Sequence, residues 1–358
     1  MFFILNGKPR VMTLLLFIMS VMMIMTSSEA RFTCNSPART NCSALIDYIS
    51  INSTTLSEIQ TLFGVKHLRD LLGANALSQN TLKTQIVNAN QKIRIPFTCS
   101  CSNGTGVSNG RPVYTVVAGD GLDSIARNKF AGLVTYQEIA AANSISDPNL
   151  IEVGQNFTIP LPCSCDDVDG KKVVHYGLVV ESGSSVEGIA QKYGVSSGAD
   201  TLLRLNKLAS PNDLKAGAVL DVPLPACSSN IGNNSIDYPL LVSNATYVFT
   251  ASNCVKCSCD AANNNWTLNC EPSSSDSNQI CPSRQCSDSS FIGNSTTSNC
   301  NRQSCVYSGY NSSAIFTTVL SERACPGSSG HSLKMMTGFQ DWFWKVSVLI
   351  LFICHLVQ

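Results

Sequence analysis

Four carboxylates, Asp120, Asp123, Asp147 and Glu152, fall in two short stretches, residues 118–123 and 146–153. Two carboxylic groups at a suitable separation can protonate and attack a glycosidic bond. Carboxylates in loops and at helix starts more often cap backbone N–H groups, and Asp120 stands where it could cap a helix opening near Leu122. Nothing marks an acid with a raised pKa, so catalysis is the weaker reading. The neighbouring residues suit binding better. Gly119 and Gly121 let a ligand approach the main chain. Pro148 stiffens the second stretch, and Leu150 and Ile151 offer apolar contact. The competing reading is plain architecture, with the glycines as turn residues and Leu150 as core.

These stretches belong to a repeated unit. "VYTVVAGDGLDSIARNKF" from Val113 reads as a short strand and a helix, with Leu122, Ile125 and Ala126 at helical spacing. Thr135 and Glu138 form a capping box for a second helix, which Asn143 ends. After a loop, "NFTIP" supplies a second strand, stopped at Pro160. A further copy runs from "VHYGLVVESGSSVEGIAQKYGV" to Pro223, with Asn206 as far before Pro223 as Asn143 is before Pro160. An earlier, more divergent copy holds "TLSEIQTLFGV", "LRDLLGANALS" and "NQKIRIP". Its Asn75 lies four residues further from Pro96. All three read strand, helix, helix, strand, an α+β architecture of tandem βααβ units. Such a unit is marginal alone, so cross-links between copies make physical sense. Cys99-Ser-Cys101 and Cys163-Ser-Cys165 close the first two copies, and Cys34 and Cys42 precede the first.

The ends of the chain set the compartment. Lys8 and Arg10 precede an apolar run to Met25, and Ser28-Glu29-Ala30 has small residues at the cleavage positions, which predicts a secretory leader over 1–30. Sequons begin at Asn41, Asn52, Asn103, Asn156, Asn233, Asn244, Asn265, Asn294 and Asn311; Cys42 inside the first makes Asn41 a poor acceptor. Small residues around Gly327 and Ser328, a spacer, and the apolar tail "WFWKVSVLILFICHLVQ" predict a GPI-attachment signal over 327–358. A transmembrane helix is the rival, but the tail is short and carries Lys345. The 17 cysteines suit an oxidising compartment, and removal of Cys354 with the tail leaves an even number for pairing. Zinc is the rival use of the cysteines, including "CVKCSC" at 254–259, but only four histidines are present. From 227 to 326, Ser and Asn dominate, and the region reads as an irregular or β, disulfide-stapled spacer. With 13% charged residues and zero net charge, nothing supports nucleic-acid binding. No cofactor or metal is expected.

The βααβ unit with "GDGLDSIA", "EIAAANSI" and "IEVGQNFTIPLPCSC" resembles a lysin motif (LysM). Three such motifs joined by Cys-x-Cys hooks, with a GPI signal and no kinase, resemble plant LysM GPI-anchored proteins of the chitin elicitor-binding subgroup. "DGLDSIARN" and "VTYQEIAAAN" carry much of that likeness. The resemblance implies LysM domains over 31–101, 113–160 and 174–223. It also implies the pairings Cys34–Cys101, Cys42–Cys165 and Cys99–Cys163, which spacing alone leaves open. It implies a chitin-binding groove between two loops of the second copy. One loop is Ala118, Gly119, Asp120, Gly121, Leu122 and Asp123. The other is Ser146, Asp147, Pro148, Asn149, Leu150, Ile151, Glu152 and Val153. The third copy is the next candidate, and the first departs most. The implied role is a cell-surface receptor for chitin oligosaccharides in plant innate immunity. It would be held at the outer leaflet by its GPI anchor and act with a LysM receptor-like kinase, with long oligomers bridging two copies into a homodimer. Some relatives act at plasmodesmata. Peptidoglycan is the rival ligand; lipochitooligosaccharide, a glycan hydrolase and a wall-adhesion protein are weaker alternatives.

Overall fold

Each repeat is tied shut by one asparagine. In the computed structural model, which describes residues 32–35, 41–228, 231–264, 266–273 and 280–323, Asn143 ends the second helix of its repeat. Its Nδ2 donates to the Ile139 and Thr158 carbonyls, both at 2.8 Å, and its Oδ1 accepts from the Thr158 N–H at 2.8 Å. Asn75 does the same with Leu71 and Arg94, and Asn206 with Leu202 and Asp221. The side chain satisfies a carbonyl left open at the helix end and fastens it to the second strand.

The first repeat is built from the strand Asn41–Ile49, helices Leu56–Phe63 and Leu68–Ala74, and the strand Lys92–Ser102. The middle repeat has strands Val113–Thr115 and Asn156–Thr158 around the helix Leu122–Ser124, which runs on as a π-helical turn over Ile125–Lys129, and the helix Tyr136–Ala142. The expected capping box at Thr135 and Glu138 is present. The third uses strands Val173–Val179 and Val219–Ser228 and helices Val186–Tyr193 and Ala199–Leu205.

The repeats are fused rather than strung out. Strands of the first and third copies lie in one seven-stranded sheet, joined where Leu45 pairs in parallel with Tyr176 and Ile46 with Gly177. A Cβ at Gly177 would come 2.9 Å from the Ile46 side chain, so glycine permits that approach. The first and middle copies share one apolar core, in which Phe63 meets Phe130 edge to face at 5.7 Å. Sharing a core answers the size problem of a small unit. Three disulfides, Cys34–Cys101, Cys42–Cys165 and Cys99–Cys163, cross-link this assembly.

Two buried polar groups reinforce the junctions. Asp47 is fully buried, accepts from the Tyr176 hydroxyl and pairs with Lys92 at 2.9 Å; Lys92 also reaches Glu181 at 2.9 Å. Burial holds the Asp47 carboxyl above the usual carboxylate range despite these partners. His175 sets Nδ1 against both Asp221 carboxylate oxygens at 2.9 and 3.0 Å, and Nε2 against the Asp166 carbonyl at 2.8 Å. Both ring nitrogens face acceptors, so the arrangement calls for an imidazolium. Burial disfavours that charge, but Asp221 and Asp166 outweigh it and raise the His175 pKa.

The Cys-rich region is disulfide-stapled and largely β, as expected over 227–326, and it folds around a core of its own. Cys227–Cys259, Cys254–Cys281, Cys257–Cys270 and Cys286–Cys305 staple a small buried core with Val255, Ile292 and Tyr307. Cys254, Cys257 and Cys259 are therefore spent in disulfides, against the zinc reading. The module docks on the first repeat. Tyr247 donates its hydroxyl to the Leu77 carbonyl at 2.7 Å, and Arg69 lies 5.2 Å over the Phe249 ring. Gly73 lies where a Cβ would sit 2.2 Å from the Tyr247 carbonyl oxygen. By contacts the chain divides into 1–295 with 304–320, and 296–303 with 321–358. Of the second unit, residues 296–303 and 321–323 are described, and they are largely strand. The expected leader, the sequon Asn265 and the attachment residues Gly327 and Ser328 lie outside the described residues. Among the described residues no helix is long and apolar enough to cross a membrane.

Candidate functional site

In every repeat the two loops flanking the expected groove are joined at their base by the same pair of backbone bonds. In the middle repeat Val116 N–H donates to Gln155 and Gly154 N–H to Val116, both at 2.9 Å. Ser50 with Gln91 and Asn90, and Val180 with Ala218 and Gly217, repeat the pattern. This base places residues 118–123 beside 146–153.

What lies above the base differs. In the first repeat the longer loop zips against its neighbour. Thr54 and Thr55 pair with Val87 and Ile86, Leu56 N–H donates to Gln85 at 3.1 Å, and Ser57 N–H to Lys83 at 2.9 Å. Main-chain groups that could meet a ligand are thereby used up. In the middle repeat no hydrogen bond crosses between 118–123 and 146–153 among the described residues. The third repeat is open in the same sense. Registered by its base bonds, however, it carries Glu181 where the middle copy has Val117, and Asp213 where it has Leu150.

The middle loops are pinned from within. Asp120 does not cap the helix: Gly121 is the N-cap residue, with no side-chain cap. The Asp120 carboxylate turns back to accept from Val117 N–H at 2.9 Å and the Tyr114 hydroxyl at 2.8 Å. Partial burial and this carboxylate raise the Tyr114 pKa. Asp147 accepts from the Asn149 backbone and side chain at 2.9 and 3.1 Å, an Asx turn. Glu152 N–H donates to Gln155 Oε1 at 2.9 Å. Asp123 pairs with Arg127 one helical turn on, at 2.8 Å on the surface.

The apolar residues separate into two groups. Leu122 is buried core and not a groove residue, and Ile151 is half-buried against the same core. Leu150 and Val153 are 74% and 68% exposed, which overturns the reading of Leu150 as core. Val117, outside the expected stretches, is also exposed. The strand alternation that buries Val116 turns Val117 outward, a signal the sequence carried. Ala118, Gly119, Ser146 and Asn149 are exposed, and Gly121 and Pro148 are half-buried. A concavity of about 870 Å³ runs between the first repeat and the Cys-rich module. Above their base the two middle-repeat loops stand side by side, with Val117, Leu150 and Val153 exposed.

The LysM domain profile matches residues 114–160 and 178–223. LysM domain-containing GPI-anchored protein 2 of Arabidopsis thaliana is 49% identical over 89% of this chain and 90% of its own length. The chain belongs to the LysM domain-containing GPI-anchored proteins. Chitin elicitor-binding protein of Oryza sativa subsp. japonica is 43% identical over 92% of this chain and 93% of its own. Chitin elicitor receptor kinase 1 of Arabidopsis thaliana is 29% identical over 49% of this chain and 29% of its own. As a member of this LysM family the chain is a binding protein and not an enzyme. The loop carboxylates fit that conclusion, since Asp120 and Asp147 are held by local hydrogen bonds and Asp123 by Arg127.

Proposed function

We propose that the middle repeat binds chitin oligosaccharides at the cell surface, with the trough between 118–123 and 146–153 as the site. One observation carries the reading: of the three repeats, only this one combines unzipped loops with an exposed apolar pair, Leu150 and Val153. N-acetylglucosamine offers an acetamido group for backbone N–H and C=O, and a methyl and C–H faces for Leu150, Val153 and Val117. A handful of hydrogen bonds, each worth about 0.5–1.5 kcal/mol net, would put one site near micromolar affinity. The name of the rice relative agrees with chitin as ligand.

The GPI-anchored relatives support a receptor held at the surface of the plasma membrane. A protein held there passes a signal inward through a membrane-spanning partner, for which a LysM receptor-like kinase is the proposed class. A long oligomer bridging two copies would raise avidity without new contacts. The reading covers innate immunity against fungi, with plasmodesmata as one place of action. Calorimetric titration of the secreted ectodomain with chitin oligomers and with soluble peptidoglycan fragments tests it. Saturable binding of the chitin oligomers is expected; heat with peptidoglycan alone would overturn it.

A further inference from the structure

The zipped first repeat leaves three large apolar side chains uncovered. Leu82, Ile86 and Ile51 are 71%, 59% and 38% exposed. Matching the base bonds of the first and middle repeats sets Ile51 at the place of Val117 and Ile86 at that of Leu150. The apolar surface that flanks the open trough in one repeat thus persists in the other, where the cleft is closed. Exposed apolar patches on a secreted protein are covered by something or promote association.

The same register sets Asn52 at the place of Ala118, and Asn52 opens the sequon Asn52-Ser53-Thr54. Asn52 is exposed, its carboxamide makes no hydrogen bond among the described residues, and its carbonyl accepts from Ser50 Oγ at 2.6 Å, which holds the loop in place. Some other sequon asparagines are engaged: Asn156 Oδ1 accepts from Thr115 at 2.6 Å, and Asn244 Oδ1 from Ala261 N–H at 3.0 Å.

We propose that an N-linked glycan on Asn52 lies over Ile51 and Ile86, so that the first repeat covers its apolar surface with sugar from its own chain. The two innermost units of such a glycan are N-acetylglucosamine, whose acetamido methyl and C–H faces suit branched aliphatic side chains. The covalent tether supplies a high effective concentration, so a contact too weak to hold free sugar is enough to hold this one. The first repeat is then withdrawn from ligand reading twice, by its zipped loops and by its attached sugar.

Hydroxyl-radical footprinting of the secreted, glycosylated chain tests this. Three forms are compared: native, trimmed by an endoglycosidase to one core sugar, and the Asn52→Gln variant. Peptide mass spectrometry should find Asn52 occupied. Ile51 and Ile86 should oxidise slowly in the first two forms and severalfold faster in the third, with Leu150 oxidising equally in all three. Enzymatic removal of the whole glycan from folded protein should reproduce the third footprint if the variant is poorly secreted. An unoccupied Asn52, or equal oxidation of Ile86 with and without sugar, would overturn the proposal. Protection that survives sugar removal and disappears on dilution would assign the surface to a protein partner and overturn it equally. None of these readouts depends on chitin binding.

Discussion

Replacing Leu150 by serine separates binding from folding. Leu150 is 74% exposed, so the fold loses little and stability should stay within about 0.5 kcal/mol of wild type. The ligand loses more. Full burial of a leucine side chain is worth about 1.5–3 kcal/mol, and a sugar lying along the trough covers roughly half of it, which gives about 1 kcal/mol. At 1.4 kcal/mol per tenfold, the Kd for a chitin oligomer should rise about fivefold. The matched control is Ile86→Ser, the same position in the zipped repeat, which should leave the Kd unchanged. Gly121→Val adds the steric arm. A Cβ there meets nothing within 4 Å, and φ is −132°, so the fold accepts valine and only a ligand against the backbone would clash. Calorimetry gives the Kd and stoichiometry of each variant, and thermal melts check the fold. An unchanged Kd for Leu150→Ser, or equal weakening by Ile86→Ser, would refute the assignment.

Asn143→Ala removes three hydrogen bonds and strands the Thr158 N–H; the expected loss is about 2–4 kcal/mol, read as a lower urea midpoint at constant m, and a loss under half a kilocalorie would contradict the clasp. Gly73→Ala forces a Cβ against the Tyr247 carbonyl at 2.2 Å; hydrogen exchange at 247–250 should quicken while chitin affinity holds, and unchanged exchange would disprove the docking. The raised His175 pKa sets a sign for stability against pH. Its contribution is complete below the unfolded value of about 6.5 and is lost as pH rises through the folded value. Wild type should therefore converge on His175→Gln toward alkaline pH in urea melts, and a constant gap would rule the imidazolium out.

Much of the fold was legible because local signals agreed with one another. The capping box at Thr135 and Glu138, the Asn-to-Pro spacing and the extra length of the first loop each named a feature that is present. Other features were out of reach. Asp120 has the residue type and position of an N-cap, yet a backbone N–H and a tyrosine hydroxyl on the preceding strand compete for its carboxylate and win. Leu122 and Leu150 are the same residue type in neighbouring loops, yet helical periodicity buries one while an Asx turn at Asp147 lifts the other into solvent. The fusion of the first and third repeats rests on one parallel strand pairing with a separation of 131 residues, and the docked module rests on contacts such as Tyr247 to Leu77. Neither leaves a local trace.

On the proposed reading, loop length and the identity of the contact residues together decide which copy can read a ligand. The asparagine clasp closes 15 residues of chain in the middle and third copies and 19 in the first. The first copy spends the extra residues on backbone pairs across the trough, satisfying N–H and C=O groups that its relatives leave to water or ligand. Unsatisfied main-chain groups at a rigid, half-open site are what a hydrogen-bonding sugar needs. The third copy keeps the opening but sets Glu181 and Asp213 where the middle copy sets Val117 and Leu150, so an acetamido methyl would meet carboxylates there. On that reading, selectivity for the middle copy would come from two independent losses elsewhere, one of backbone valence and one of apolar contact. Restoring one in either flanking copy would leave the other property to be judged alone.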